Sequence, residues 1–335
     1  MELSWHSELW ESRFHGKPLP QALLLTGLRG SGEVEFALRI AKSRFCRNPS
    51  ASGDACGICD DCRWFAADSH PDFRRLDLSI QHDESDSDDG PKAGERDKKK
   101  PRTQIAVDEV REVIEFLHVA AYRGGARVVL IHPAHAMNPA AANALLKVLE
   151  EPPQGALFLL VTAQPTRLPA TIRSRCVTLA LPKPTPREAA KWLEASGLLN
   201  PGLALAQVGG APTAALELGE RYWTVRTALL PLLGGRAPDW CEAASSIVET
   251  DLPYLVHILQ TWCWDLTSTR FGGDVRYHPD QTQSIAPAAI RIRAIALADF
   301  GRKLAGARRL LGHPLNAKLF AEDLLLSYSN LTQAP

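Results

Sequence analysis

The stretch Ala22-Leu-Leu-Leu-Thr-Gly-Leu-Arg-Gly-Ser-Gly-Glu-Val34 decides the reading of the fold. An apolar β-rich run enters three glycines, and the residues that follow place Phe36, Ala37, Ile40 and Ala41 on one face at helical spacing. Strand, glycine loop and helix in that order open a parallel α/β sheet. Working outward, further strands are expected over 72–78, 127–132, 157–162 and 177–181, with helices over 107–121 and 140–151. The second of these helices is stopped by Pro152-Pro153. A loop and short helix through 169–173 join the last two strands.

Gly27-Leu-Arg-Gly-Ser-Gly32 sits where a phosphate-binding loop belongs, because a strand-to-helix turn aims backbone N–H groups and a helix N-terminus at an anion. Its spacing fits GxxxxGK[ST], but Glu33 replaces the lysine that neutralises phosphate and Val34 replaces the hydroxyl that holds magnesium. Gly27, Gly30, Gly32, Glu33 and Val34 therefore form a degenerate loop at which ATP binding is not expected. The strand at 127–132 ends in His132-Pro133 where such folds carry an acidic pair. His132 and His135 are read as packing or surface histidines before a metal site.

The 335 residues carry 38 Lys+Arg against 38 Asp+Glu and are 45% hydrophobic, enough for two or three domains with cores of their own. Zero net charge argues against a basic nucleic-acid coat, so DNA contact is expected to be local or shared. No run approaches the ~20 apolar residues of a membrane span, and residues 1–12 carry charge, Trp and His in place of a signal-peptide core. A cytoplasmic protein without membrane partners is the expectation.

Four of the seven cysteines crowd together as C-x9-C-x2-C-x2-C: Cys46, Cys56, Cys59 and Cys62. In a reducing compartment that spacing brings four thiolates together around structural zinc, leaving no open position for a catalytic water. His70 is a substitute ligand if Cys46 is not used. Cys176, Cys241 and Cys263 are isolated and read as small core residues. Between 81 and 102, seven acids and six bases accompany a single alanine, so this segment is expected to be a disordered, solvated insertion.

Pro182, Pro184 and Pro186 mark the exit from the α/β part, after which strand signals fade. Helices are expected over 187–195, 203–208, 223–233, 252–267, 287–311 and 317–331, with 271–284 as a polar loop. The division expected is an α/β domain over 1–181, a small helical domain over 182–222 and an all-α domain over 223–335.

The glycine loop, the four-cysteine module, Val107-Asp-Glu-Val-Arg-Glu-Val113, Ala140-Ala-Ala-Asn-Ala-Leu-Leu-Lys-Val-Leu-Glu-Glu-Pro-Pro153 and Thr171-Ile-Arg-Ser-Arg-Cys176 together resemble the delta-prime family of bacterial DNA polymerase III clamp-loader subunits, within the AAA+ superfamily. The match is specific over the first two hundred residues and architectural beyond them. The resemblance implies an AAA+ P-loop-type domain with a zinc module, a helical lid and a C-terminal collar for oligomerisation. It implies that Arg175 is an arginine finger acting in trans, with Ser174 and Cys176 supporting its loop. It implies a stator that does not hydrolyse ATP within the DNA-directed DNA polymerase (nucleotidyltransferase) holoenzyme. Its partners would be the motor (tau/gamma) and delta subunits in a hetero-pentameric ring, the sliding clamp, and primed DNA through the complex. Gly210-Ala-Pro-Thr-Ala-Ala-Leu216 resembles the segment where motor relatives sense their own nucleotide by an arginine, and Pro212 and Thr213 stand there instead. The competing readings are an active motor ATPase of the same complex and a zinc-dependent DNA-binding module.

Overall fold

The computed structural model describes residues 3–14, 18–78, 104–122, 125–235, 240, 249–313 and 315–333. Cys241 and the charged stretch 81–102 lie outside the described residues. The chain forms two compact units, Met1–Thr185 and Pro186–Pro335.

In the first unit a short turn at Ser4–His6 leads into α1 (Ser7–Arg13), followed by β1 (Ala22–Thr26), α2 (Glu33–Phe45), α3 (Asp60–Ala66), β2 (Phe73–Asp77), α4 (Val107–His118), β3 (Arg127–His132), α5 (Pro139–Glu150), β4 (Ala156–Thr162), α6 (Ala170–Arg173) and β5 (Val177–Ala180). All strand pairs are parallel, in the order β2-β3-β4-β1-β5. Because side chains alternate across a strand, Leu23, Leu25, Val128, Leu130, Leu159 and Val161 meet α1 and α2 on one face. Leu24, Val129, Ile131, Phe158 and Leu160 meet α4 and α5 on the other. Both faces are covered, which is why these strands are continuous apolar runs. Truncating a residue such as Leu25, at 0% exposure, to alanine costs about 2–5 kcal/mol.

Local signals set the helix ends. Asn138 caps α5 by accepting the Ala141 N–H at 2.8 Å, Pro139 supplies the first turn, and Pro152 blocks continuation. In α4 the Glu109 carboxylate reaches back to the Ala106 N–H at 2.8 Å. The helix ends at His118, three residues before the expected end.

The second unit contains α7 (Pro186–Ala195), α8 (Pro201–Gln207), α9 (Pro212–Leu216), α10 (Glu220–Leu233), α11 (Leu252–Arg270), α12 (Thr282–Arg291), α13 (Ala294–Leu310) and α14 (Ala317–Gln333). Ala189, Leu193, Ala204, Leu205 and Ala215 form one small cluster, and a larger one is built around Trp262, Tyr222 and Tyr328. Leu218 and Trp223 pack against both. The helix expected over 287–311 is two helices. Ile292 and Arg293 are extended between them, and the turn lets Ile285, Ala288 and Ala289 as well as Leu297, Phe300 and Leu304 enter the larger core.

The expected polar loop over 271–284 is largely exposed, but it is tied down at one point and ends early, at the helix from Thr282. Asp265, itself buried, accepts the backbone N–H groups of Arg276 at 2.8 Å, Tyr277 at 3.1 Å and His278 at 2.8 Å, and thereby folds the loop inward. His278 is fully buried there, and residues from Thr282 onward are helical. Gln207, at the end of α8, joins the two helical groups. It donates to the Tyr277 carbonyl and accepts from Tyr222 Oη at 2.7 Å and Arg226 Nε at 3.2 Å. Its own carbonyl stands 2.9 Å from His257 Nε2.

Candidate functional site

Three constellations in the first unit bear on function. The first is the glycine loop between β1 and α2. Gly30 and Gly32 have φ of 80° and 97°, the left-handed region that a side chain disfavours. The turn directs the Gly30 and Ser31 N–H groups inward, and both donate to the Glu33 carboxylate at 3.0 Å. Glu33 is 3% exposed. The carboxylate thus does more than repel an anion, since it occupies the two donors that the loop would offer to one. The N-terminal segment lies over the same loop: Trp5 Nε1 donates to the Ser31 carbonyl at 2.9 Å, and His6 packs edge-on against Phe36 with ring centres 5.0 Å apart. Burial, then Arg39, pushes the His6 pKa down to about 4, so the ring is neutral at pH 7.

At the strand ends beside the loop, His132 and His135 point to separate partners. His132 Nδ1 lies 3.3 Å from Asp77 Oδ2, and Arg75 closes on the same oxygen at 2.5 Å. His135 Nδ1 lies 2.8 Å from Thr162 Oγ1. Burial, with Arg167, His132 and Arg29 nearby, lowers the His135 pKa. Among the described residues, the group able to converge on a metal ion is the cysteine quartet, without these histidines.

That quartet is the second constellation. Cys46 follows α2, Cys59 holds the N-cap position of α3 and Cys62 lies within it. The four Sγ atoms lie within 4.8 Å of one another. Zn–S bonds of ~2.3 Å in a tetrahedron put sulfurs ~3.8 Å apart; Cys56 and Cys62 stand 4.0 Å apart, and the widest pair needs only a small adjustment to close on an ion. Cys46 Sγ accepts the Cys56 N–H at 3.1 Å, and Cys56 Sγ accepts the Cys59 N–H at 3.4 Å. Backbone donation from Ile58 and Cys59 brings the Cys56 thiol down to about 6, within the range of a ready thiolate ligand. His70 stands apart, stacked on Phe45 at 3.8 Å and accepting the Asp72 N–H at 3.2 Å. Cys46, and not His70, is the residue grouped with Cys56, Cys59 and Cys62. The module is seated by Arg39, which forks onto Asp54 at 2.7 and 3.0 Å, and by Trp10 Nε1, which donates to the Ser52 carbonyl at 3.0 Å.

The third constellation is the turn between α6 and β5. Ile172 and Cys176 anchor its ends in the same core as Leu145, Val148 and Leu149. Burial pushes the Cys176 thiol up to about 11, which makes it an inert packing group. Arg175 projects between these anchors with its side chain 34% exposed. It donates to the Thr171 carbonyl at 2.9 Å and meets Glu150 Oε1 at 2.5 Å. Ser174 Oγ also donates to the Thr171 carbonyl, at 3.0 Å.

A family model described as DNA polymerase III, delta subunit, matches residues 5–185. The DNA polymerase III subunit delta' of Escherichia coli is 32% identical over 323 residues, covering 93% of this chain and 90% of that protein. The chain belongs to the delta-prime family of DNA polymerase III clamp-loader subunits. The Pseudomonas aeruginosa delta-prime protein is 38% identical over 218 residues, 64% of this chain and 60% of that protein. Delta-prime chains also have more distant tau relatives: the Escherichia coli tau subunit is 33% identical over 160 residues, 48% of this chain and 21% of tau. A solved gamma subunit-related protein from Thermotoga maritima aligns over 99% of the chain and 100% of its own length, with a TM-score of 0.47 and 17% identity, a likeness that carries no weight in the assignment. This delta-prime member is thus an α/β clamp-loader subunit of the DNA replication machinery with a cysteine cluster. No helix among its described residues is long and apolar enough to cross a membrane.

Sequence reasoning located the loop, the quartet and Arg175, but missed what covers or holds them. Two tryptophans within the first ten residues signalled that the N-terminus packs inward. The Glu150-Glu151 pair was in view, yet a contact 25 positions along the chain leaves no local periodicity to reveal it.

Proposed function

We propose that this chain is the stator of the clamp-loader ring: it does not hydrolyse ATP itself and presents Arg175 to ATP held by a neighbouring motor subunit. The observation that carries the reading is the Glu33 carboxylate on the Gly30 and Ser31 N–H groups. A motor needs those donors for phosphate and a lysine at that position. Arg175, by contrast, sits on an anchored turn with part of its guanidinium open to solvent. A guanidinium reaching the γ-phosphate of another chain offsets charge building on its oxygens, an effect of about 10³–10⁵ in rate for such fingers.

In this reading residues 182–222 act as the lid and 223–335 as the collar that joins the motor and delta subunits. The cysteine quartet holds structural zinc, and the chain works in the cytoplasm within the polymerase holoenzyme, supporting placement of the sliding clamp on primed DNA. Ser174 and Cys176 hold the finger turn. Pro212, at the first turn of α9, leaves that segment without a nucleotide-sensing arginine.

The test is DNA-stimulated ATP hydrolysis by this chain alone, by the cognate motor and delta subunits alone, and by the mixture, with wild type and Arg175→Ala. Silence from the isolated chain, activity of the mixture and a large loss with Arg175→Ala in an intact complex are expected. Hydrolysis by the isolated chain, or an unaffected mixture, would refute the stator reading.

A further inference from the structure

We infer that Glu150, the last residue of α5, is a positioning residue for Arg175. This rests on the reading of Arg175 as a finger in trans and assigns a role to the Glu150-Glu151-Pro152-Pro153 run.

Both ends of the pair are fixed by the fold. Glu150 follows Leu149, which is buried under the sheet, and Pro152 prevents α5 from running on. Arg175 lies between Ile172 and Cys176, which enter the same core. The pairing at 2.5 Å is therefore set by two anchored backbones and does not depend on a chance meeting of flexible side chains. Arg175 Nη1 makes a second hold, on the Thr171 carbonyl at 2.9 Å, and a longer third one on Ser174 Oγ at 3.5 Å.

A guanidinium carries five N–H donors in a rigid fork. These contacts, through Nη1 and Nη2, orient the plane and leave other donors available, consistent with a side chain that is one-third exposed. An unpinned arginine samples many rotamers, and ordering it upon reaching a phosphate opposes binding. Glu150 removes that cost beforehand: it acts on the orientation of the finger and touches no reacting atom itself. A pair this exposed adds little to folding, so its effect is expected in hydrolysis and not in stability.

The experiment places Glu150→Gln, Arg175→Ala and the double variant in the reconstituted complex with cognate motor and delta subunits, and measures DNA-stimulated hydrolysis against ATP concentration. Glu150→Gln is expected to lower kcat about threefold to tenfold with KM for ATP and complex assembly unchanged. The double variant should be no slower than Arg175→Ala alone, and Glu150→Asp should recover part of the rate. If Arg175→Ala does nothing, the finger reading itself falls. If Arg175→Ala is slow but Glu150→Gln is unchanged, faster, or additive with it, positioning by Glu150 is wrong and the finger stands.

Discussion

Leu3 and Gly32 are packed so closely that a Cβ built on Gly32 would lie 2.0 Å from Leu3 Cδ1. The N-terminal segment therefore packs against the glycine loop at Gly32, where a side chain would clash with it. Glu33 occupies the Gly30 and Ser31 N–H groups while Leu3 and Trp5 pack on the same loop, so in the proposed reading two independent features oppose a nucleotide phosphate there.

Restoring the signature alone should accordingly fail. Glu33→Lys with Val34→Thr recreates the motif but leaves the Leu3 and Trp5 cover in place, so calorimetric titration with Mg-ATP should show no micromolar binding. The double variant should also be less stable by about 1.5–3 kcal/mol, because the Gly30 and Ser31 N–H groups lose a charged acceptor. Tight binding by this variant would show that the charge reversal was the whole obstacle.

For the cysteine quartet, metal analysis of the purified chain should give about one zinc per chain. Cys59→Ser should lose most of it. Because α3 begins at the quartet, the variant and a chelated wild type should both lose protection of 60–66 in hydrogen exchange. Metal-free protein of unchanged stability would rule out a structural zinc.

Acid should weaken the fold through its buried histidines. Burial, then Arg226, pushes the His278 pKa down to about 3 from 6.5, with Asp280 opposing. The unfolded chain takes up this proton near pH 6.5 while the folded chain resists to about pH 3, so stability falls as pH drops through that window. Between pH 7 and 5 the loss from this group is about 2 kcal/mol. Denaturant unfolding at pH 7 and 5 should show a smaller pH difference for His278→Gln than for wild type. His6, lowered to about 4, adds a contribution of the same sign.

Gln207→Leu should destabilise the second unit by about 3 kcal/mol, since Tyr222, Arg226 and the Tyr277 carbonyl all lose a buried partner. In hydrogen exchange the α7 to α9 helices should then open before the larger helical core. Simultaneous opening in both proteins would mean the network does not couple the two groups.

The sheet was readable because its interior strands are apolar on both faces, and Leu157, Phe158 and Leu159 admit no other placement once Pro152-Pro153 ends the helix before them. The cysteine spacing announced a metal module for a similarly local reason. What escaped were features made by contacts distant in sequence. Asp265 ties down residues 276–278 through their backbone N–H groups and buries His278, which composition does not reveal. The break at Ile292 and Arg293 follows from the demand that both flanking helices face α11, while helical periodicity runs on through both residues. Glu33 was visible as a missing lysine, but its second role as the loop's own anion needed the turn of Gly30 and Gly32 to bring it home.

The bonds radiating from Gln207 have a mechanical consequence for the second unit. A hinge between α9 and α10 would have to break several buried or partly buried polar contacts at once. Rotation of the small helical group against the larger one would work against all of these bonds together, so the network resists a twist between the two groups and favours their turning as one lever.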